Sequence, residues 1–223
     1  MKKVAYSMRY SIIRLIAASA ACFALAQGAQ ACNGDQILFE DKFEFADPGW
    51  GTTGDQFKIE NGKLLLRAPQ NAGTWVVNKA FVFDSADICY TITLSDTSSD
   101  PTASYGGLVF WMTDIQTFFS LATSSNGFFK VSRRISNQWA ADPIGWTKTD
   151  ALKQGPNMAN KVRLRLDGQL ITVEINDQKV TQFRAQKPSQ PTPIGFMGFS
   201  PASSADGWTF SDLKVTNVVK DAK

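Results

Sequence analysis

The sequence predicts an all-β protein built as a sandwich of two antiparallel sheets. Three observations favour this fold class. Apolar and polar residues alternate along most of the chain after residue 31, helical spacing is scarce, and turn-forming residues separate the alternating runs at short, regular intervals. Because ten or more short strands without intervening helices rarely form one open sheet, they indicate two packed sheets.

The N-terminus has the pattern of a secretory signal. Basic residues precede the apolar run "LIAASAACFALA", and Ala29 and Ala31 have the small-residue spacing that signal peptidase cleaves. We therefore predict a signal peptide at 1–31 and one domain at 32–223, in a periplasmic or secreted protein. The apolar run is shorter than the roughly 18 residues of a membrane span, so no span is expected.

The charge of the chain argues against nucleic acid and anionic lipid as partners. The formal net charge is +3, but four of the 23 basic residues and none of the 20 acidic ones precede residue 32. The predicted mature chain is thus close to neutral and has no basic cluster. Nucleic acid and anionic lipid are not expected partners, and we expect a monomer.

The two cysteines after the predicted signal are Cys32 and Cys89. An even pair in an oxidising compartment predicts a disulfide. The alternative is that Cys32 is the lipid-modified first residue of a lipoprotein. Gln30 fits that alternative poorly, because lipoprotein signals usually carry a small residue there.

The predicted strands follow one another along the chain with turns between them. In order they are "ILFEDKFEF", "FKIENGKLLLRA", "ADICYTITLSD", "YGGLVFWM", "FFSLATS", "FFKVSRR", "KVRLRLDGQLITVEINDQKVTQF", "IGFMGFS" and "WTFSDLKVTNV". The Pro-, Ser- and Asp-rich stretches 95–104 and 184–193 are predicted loops. The first and last strands have the alternation and length to pair as neighbours.

The clearest piece is the meander from Lys161 to Phe183. Its alternation predicts one buried face, with turns at Asp167-Gly168 and Asn176-Asp177. The buried face would contain Val162, Leu164, Leu166, Ile171, Val173 and Ile175. Glu174 lies opposite an arginine on the outward face, so it is interpreted as a cross-strand partner and not as a catalytic acid.

The aromatic stretch 106–139 poses the main functional question. Strict alternation puts Leu108, Phe110 and Met112 on one side of their strand and Val109 and Trp111 on the other. Only one side can face the core, so some aromatic residues must lie on the second face of the sheet. That face is either a ligand groove or a surface covered by loops.

These motifs, taken in order, resemble a known family. "ILFEDKFEF" with "DPGW", then "ENGKLLL", "GGLVFW", "NKVRLRLDGQLITVEINDQKV", "IGFMGF" and "WTFSDLKV" are similar to concanavalin A-like, laminin-G-like jelly-roll domains. The resemblance is strongest to the bacterial secreted branch that includes 3-keto-disaccharide hydrolase-like domains. It implies a two-sheet jelly roll and a sugar ligand, and it transfers no catalytic residue.

Composition restricts the chemistry. The chain has no histidine, which removes Ser-His-Asp and Cys-His catalysis and the usual zinc ligation. No phosphate-binding glycine loop or calcium-loop spacing occurs, so neither a cofactor nor a metal is predicted. Glycoside hydrolysis by paired carboxylates stays open. However, the Glu-x-Asp-x-x-Glu strand motif of laminarinase-like enzymes is missing, and Glu40-Asp41 is interpreted as part of a polar edge strand.

A sugar-binding site is predicted around three tryptophans. Stacking rings with polar neighbours are typical of carbohydrate sites, and the candidate residues should be partly exposed around one concavity. They are Trp111, Asp114, Arg133, Arg134, Trp139 and Trp146. Trp50 and Trp208 are interpreted as structural.

The predicted function is carbohydrate binding outside the cytoplasm. Two alternatives stay open: a glycoside-type hydrolase or lyase acting on 3-keto or ordinary disaccharides, and a structural envelope protein without a small-molecule site.

Overall fold

The computed structural model describes residues 32–95 and 103–219, which form two packed β-sheets. The predicted signal peptide lies outside the described residues. Within them, no helix has the length and apolar character needed to cross a membrane.

The described residues form fifteen strands and one short 3₁₀ helix at Pro48–Trp50. The strands are β1 (Ile37–Asp41), β2 (Phe57–Glu60), β3 (Lys63–Arg67), β4 (Gly73–Phe83), β5 (Ala86–Ser95), β6 (Tyr105–Asp114), β7 (Thr117–Thr123), β8 (Phe128–Ile135), β9 (Gln138–Trp139), β10 (Ile144–Lys148), β11 (Ala159–Asp167), β12 (Leu170–Ile175), β13 (Gln178–Arg184), β14 (Thr192–Phe199) and β15 (Gly207–Thr216).

Both sheets are antiparallel. The eight-stranded sheet has the order β13-β12-β11-β5-β15-β3-β2, with β1 also paired to β15, and the seven-stranded sheet has the order β10-β8-β7-β6-β14-β4, with β9 paired to β8. This architecture confirms the predicted all-β, two-sheet sandwich.

The chain ends meet as the sequence predicts. Strand β1 pairs with the C-terminal half of β15, where Glu40 lies opposite Lys214 and Asp41 opposite Leu213. Asp41 also accepts hydrogen bonds from the backbone N–H of Phe43 at 2.7 Å and from the Trp50 indole at 2.7 Å. The Glu40-Asp41 pair therefore belongs to a structural edge strand, as predicted.

The predicted meander is confirmed as β11, β12 and β13. Its six inward apolar residues are all buried, and the turns fall at Gly168 and at Asn176-Asp177. Arg163 lies opposite Glu174, and their side chains form an ion pair at 3.0 Å. Glu174 is thus a cross-strand partner.

The disulfide between Cys32 and Cys89 is present and ties the start of the described chain to β5, with the two Cα atoms 5.7 Å apart. It uses the Sγ atom of Cys32 that lipid attachment would need.

The core lies between the sheets, and Trp208 fills its narrowest part. Gly106 and Gly198 face each other on β6 and β14, and a Cβ added to them would come within 2.6 Å and 2.1 Å of the Trp208 indole. Only glycines at these two positions let the ring lie flat against the facing sheet. Trp50 is also buried and stacks on Phe196 at 5.6 Å between ring centroids. Both tryptophans are structural, as predicted.

The sequence did not predict three of the strands, β4, β9 and β10. The last two are short additions at one edge of the seven-stranded sheet, where β9 and β10 both pair with β8. Strand β4 is long and forms the opposite edge. These strands contribute three of the tryptophans discussed below.

Candidate ligand-binding face

The outer surface of the seven-stranded sheet, here called the aromatic face, carries three of the six candidate residues: Arg134, Trp139 and Trp146. Register identifies the side chains that point outward together. One row across the sheet runs Val77, Gly195, Val109, Ser120 and Ser132. The adjacent outward row runs Trp75, Met197, Gly107, Ala122 and Lys130.

The floor of this face is apolar and densely packed. Val109, Met112, Phe118 and Met197 form a cluster separate from the main core, and each is less than a tenth exposed. The side chains that cover Phe118 belong to the face itself. Its ring centroid lies 6.5 Å from that of Trp75 and 5.9 Å from that of Trp139, and Arg134 lies over it.

The expectation that Trp111 is exposed on this face is wrong. Trp111 is only 2% exposed and packs with Phe110 and Phe119 in the main core. Its φ of +48° coincides with a register shift between β6 and β7, so the strand contains a bulge at this point. The bulge lets two consecutive rings, Phe110 and Trp111, face inward and moves Met112 to the outer side. Strict alternation had instead grouped Met112 with Phe110 and Trp111 with Val109.

Trp139 is the most exposed tryptophan of the candidate set. It lies on β9 opposite Arg134, is 59% exposed, and has the Arg134 guanidinium 5.6 Å from its ring centroid. A guanidinium in that position orients the ring, and more than half of the residue stays exposed.

Trp146 lies at another part of the same face, on β10. Its ring contacts Tyr105 edge-on at 5.3 Å and has the Lys130 ammonium 5.8 Å from its centroid. Lys130 forms an ion pair with Asp142 at 3.0 Å. Burial, together with the charge of Asp142, raises the pKa of Tyr105 above its ordinary value.

Trp139 and Trp146 do not share one small pocket. Their partners Arg134 and Lys130 are four residues apart on β8, a distance of roughly 13 Å along a strand. The spacing suits an extended ligand better than a single ring.

Arg133 and Arg134 point to opposite sides of β8 but line one cavity. Arg133 lies over the Phe119 ring at 5.2 Å, on the core side, and Arg134 lies on the aromatic face. The cavity has a volume of 390 Å³ and is closed on one side by residues 186–189. The structure thus brings together Trp111, Arg133 and Arg134, with Trp139 beside Arg134.

Asp114 lies apart from those arginines. Its carboxylate accepts a hydrogen bond from the backbone N–H of Gln116 at 2.6 Å, which is the usual role of an aspartate in a turn. It lines a second cavity, of 850 Å³, together with Trp75, Met112 and the segment around Trp50. Thr113 borders both cavities.

Sequence reasoning missed Trp75, which is 42% exposed on β4. The signal was present in "GTWVVN": Thr74, Val76 and Asn78 alternate inward and are buried, which puts Trp75 and Val77 outward.

One cluster among the described residues combines three potential metal-ligating side chains, Cys32, Asp87 and Cys89. The two sulfurs are joined in the disulfide and Asp87 is bound by Arg163 at 2.7 Å. These groups therefore do not fit a metal site in the oxidised protein.

Comparison with known proteins identifies the fold. No protein-family model and no curated protein sequence matches the chain. Among solved structures, carbohydrate-binding module CBM66 from Bacillus subtilis superposes with a TM-score of 0.53 and 11% identity, covering 69% of this chain and 86% of that one. The β-glucanase of Bacillus licheniformis gives 0.57 and 8%, covering 81% and 98%. The carbohydrate recognition domain of Emp46p in its potassium-bound form gives 0.61 and 14%, covering 82% and 98%. At these identities the likeness concerns the fold, and the chain has the concanavalin A-like jelly-roll fold.

Proposed function

We propose that the protein is an exported carbohydrate-binding β-sandwich that holds an extended glycan on its aromatic face. The observation that carries the proposal is the line of three rings from Trp75 through Phe118 to Trp139. The two outer rings are 42% and 59% exposed, while Phe118 between them is buried and contacts both. Exposed indoles above an ordered apolar floor are suited to stacking against the C–H faces of sugar rings.

Polar groups beside these rings can select among sugars. Arg134 lies next to Trp139, and Lys130, Asp142 and Tyr105 surround Trp146. These side chains include both donors and acceptors of hydrogen bonds, as sugar hydroxyls require. The structures similar in fold include a carbohydrate-binding module and a carbohydrate recognition domain, which supports the assignment by analogy.

The arrangement favours binding over cleavage. Glycoside hydrolysis requires two carboxyl groups flanking the scissile bond. The candidate carboxylates near the aromatic face have other partners: Asp142 is ion-paired with Lys130, and Asp114 caps a turn.

Export is part of the proposal. The predicted signal at 1–31 and the Cys32–Cys89 disulfide both suit an oxidising compartment, and the disulfide supports a mature domain 32–223 that is not lipid-modified. The intact mass of the protein recovered from the producing cells tests this, because cleavage after Ala31 predicts one value and acylation of Cys32 a larger one.

The binding test is a glycan array with the purified protein, followed by titration with each glycan that binds. Trp139→Ala and Trp75→Ala should each weaken binding by about 1–3 kcal/mol, as expected for aromatic anchors. Phe45→Ala is the matched control. Phe45 is 82% exposed, but it follows β1 and lines neither of the two cavities beside the aromatic face. Failure of all glycans to bind the folded protein would leave the structural alternative as the better explanation.

A further inference from the structure

The 390 Å³ cavity beside Trp139 has an unusual charge pattern. Its lining contains three cationic side chains and no carboxylate among the described residues. The lining residues are Trp111, Thr113, Thr117, Phe118, Phe119, Arg133, Arg134, Gln186, Lys187, Pro188 and Ser189. Such a cavity has a positive potential, and its volume lies in the range of ligand pockets.

The two arginines differ from the other basic residues near them. Lys187 is paired with Asp84, and Lys130 with Asp142. Arg133 and Arg134 contact aromatic rings, and the polar partner of Arg134 is the neutral side-chain oxygen of Asn137. Within the described chain neither guanidinium has a carboxylate partner, so two positive charges stay uncompensated at this point.

Two buried N–H groups at the cavity lack acceptors. The Trp111 Nε1 and the Arg134 Nε atoms are enclosed, and neither donates a hydrogen bond to another described residue. Leaving a buried donor unsatisfied costs free energy, and an acceptor reaches these enclosed atoms only if the surrounding side chains move. Trp111 is itself 2% exposed, so its donor is held in place by the core.

We propose that this cavity binds the anionic substituent of an acidic glycan, a carboxylate or a sulfate, while the sugar that carries it stacks on Trp139. The inference rests on the proposed function and narrows its ligand class. Guanidinium groups bind carboxylates and sulfates through paired N–H donors, and Arg134 lies between the Trp139 ring and the cavity. The predicted near-neutral mature chain would then recognise an acidic polymer through a local site.

The test compares hexagalacturonate with its methyl ester, which has the same sugars without the charge. Titration calorimetry at low salt should give at least tenfold tighter binding of the free acid, and the difference should shrink as salt is added. A second pair of probes, an uncharged hexasaccharide with and without added sulfate groups, distinguishes sulfate from carboxylate as the preferred group.

Arg133→Gln and Arg134→Gln should each weaken binding of the acidic probe by about tenfold to 100-fold, as expected for hydrogen bonds to a charged group. Arg133→Gln should leave binding of the uncharged probe within about twofold, because Arg133 lies on the core side over Phe119 and not beside Trp139. Arg134→Gln should weaken binding of the acidic probe more than binding of the uncharged probe, because Arg134 also orients Trp139. Arg67→Gln is the matched control, because Arg67 is exposed on β3 in the other sheet. Thermal unfolding of each variant confirms that it is folded. Trp111→Phe, which removes the indole N–H together with part of the buried ring, serves as a second variant.

Equal binding of each acidic probe and its uncharged form would overturn the acidic-ligand proposal and leave the glycan-binding function intact. Binding of neutral glycans alone would have the same effect. No binding of any glycan to the folded protein would overturn both. Loss of binding of the acidic probe in the Arg67 variant would show that general charge, and not this cavity, attracts the ligand.

Discussion

The outer surfaces of the two sheets use their charged residues differently. On the eight-stranded sheet, Arg163 is held between Asp87 at 2.7 Å and Glu174 at 3.0 Å, and its hydrogen bond to Asp87 raises the pKa of the guanidinium further. On the seven-stranded sheet, Arg134 lies against the Phe118 and Trp139 rings and lacks a carboxylate partner among the described residues. The first surface satisfies its charges internally, whereas the second keeps cations and rings available to a ligand.

This difference shows why charge or aromatic content alone does not identify a site. Arg163 and Arg134 are both half-buried strand arginines with outward side chains. What separates them is the neighbour across the strand pair, Glu174 in one case and Trp139 in the other. The following predictions test the contrast, from the largest expected effect to the smallest.

Trp111→Ala should lower the free energy of unfolding by about 4 kcal/mol, because it removes a buried ring from the core. Trp139→Ala, an equal truncation on the outer side of the same sheet, should change it by less than about 0.5 kcal/mol. Urea unfolding of both variants measures this. Similar stability losses in the two would contradict the inward placement of Trp111.

Asp87→Asn should lower the free energy of unfolding by about 3 kcal/mol, because it removes one partner from a buried ion pair. Asp87 is 2% exposed and contacts Arg163 through both carboxylate oxygens. Asp167→Asn is the control: Asp167 is 41% exposed and lies 3.7 Å from Arg165, so its loss should cost less than about 1 kcal/mol. Chemical denaturation should separate the two, and glycan binding should be unchanged in both.

Trp139→Ala and Trp75→Ala combined should weaken glycan binding by about the sum of the single effects if the ligand spans both rings, each worth about 1–3 kcal/mol. A ligand that touches only one of them would leave the other variant unchanged. Titration of the single and double variants with the same oligosaccharide decides between an extended and a compact ligand.

Alkaline unfolding should detect the buried tyrosines. Burial raises the pKa of Tyr90 in the core, so above about pH 10 the unfolded chain loses that proton while the folded chain keeps it. The unfolded state then binds fewer protons, and stability falls with rising pH by about 1 kcal/mol between pH 10 and pH 11 for such a group. Unfolding curves at both pH values measure it, and Tyr90→Phe should remove that part of the slope. An unchanged slope in the variant would contradict the prediction.

Alternation was sufficient wherever strands are regular. It predicted the β11–β13 meander and the pairing of the terminal strands, because a period of two assigns every side chain once the buried face is known. It failed at Trp111, where one extra residue reverses the assignment, and residues 108–117 contain no glycine or proline to reveal the bulge.

The sequence by itself determined the fold class, the structural roles of Trp50 and Trp208, and the pair of cysteines that the disulfide joins. Hydrophobic periodicity, composition and cysteine count are local or countable properties, and these conclusions depend on little else. Only the tertiary structure decided which side chains meet on the aromatic face. Trp75, Phe118 and Trp139 come from β4, β7 and β9. Arg134 contacts an aromatic ring and not a carboxylate because the register of β8 and β9 places Trp139 opposite it. The contact of Trp75 with Phe118 joins strands that are distant in sequence and is set by strand order, and the inward position of Trp111 is set by a bulge. No local pattern encodes either of them.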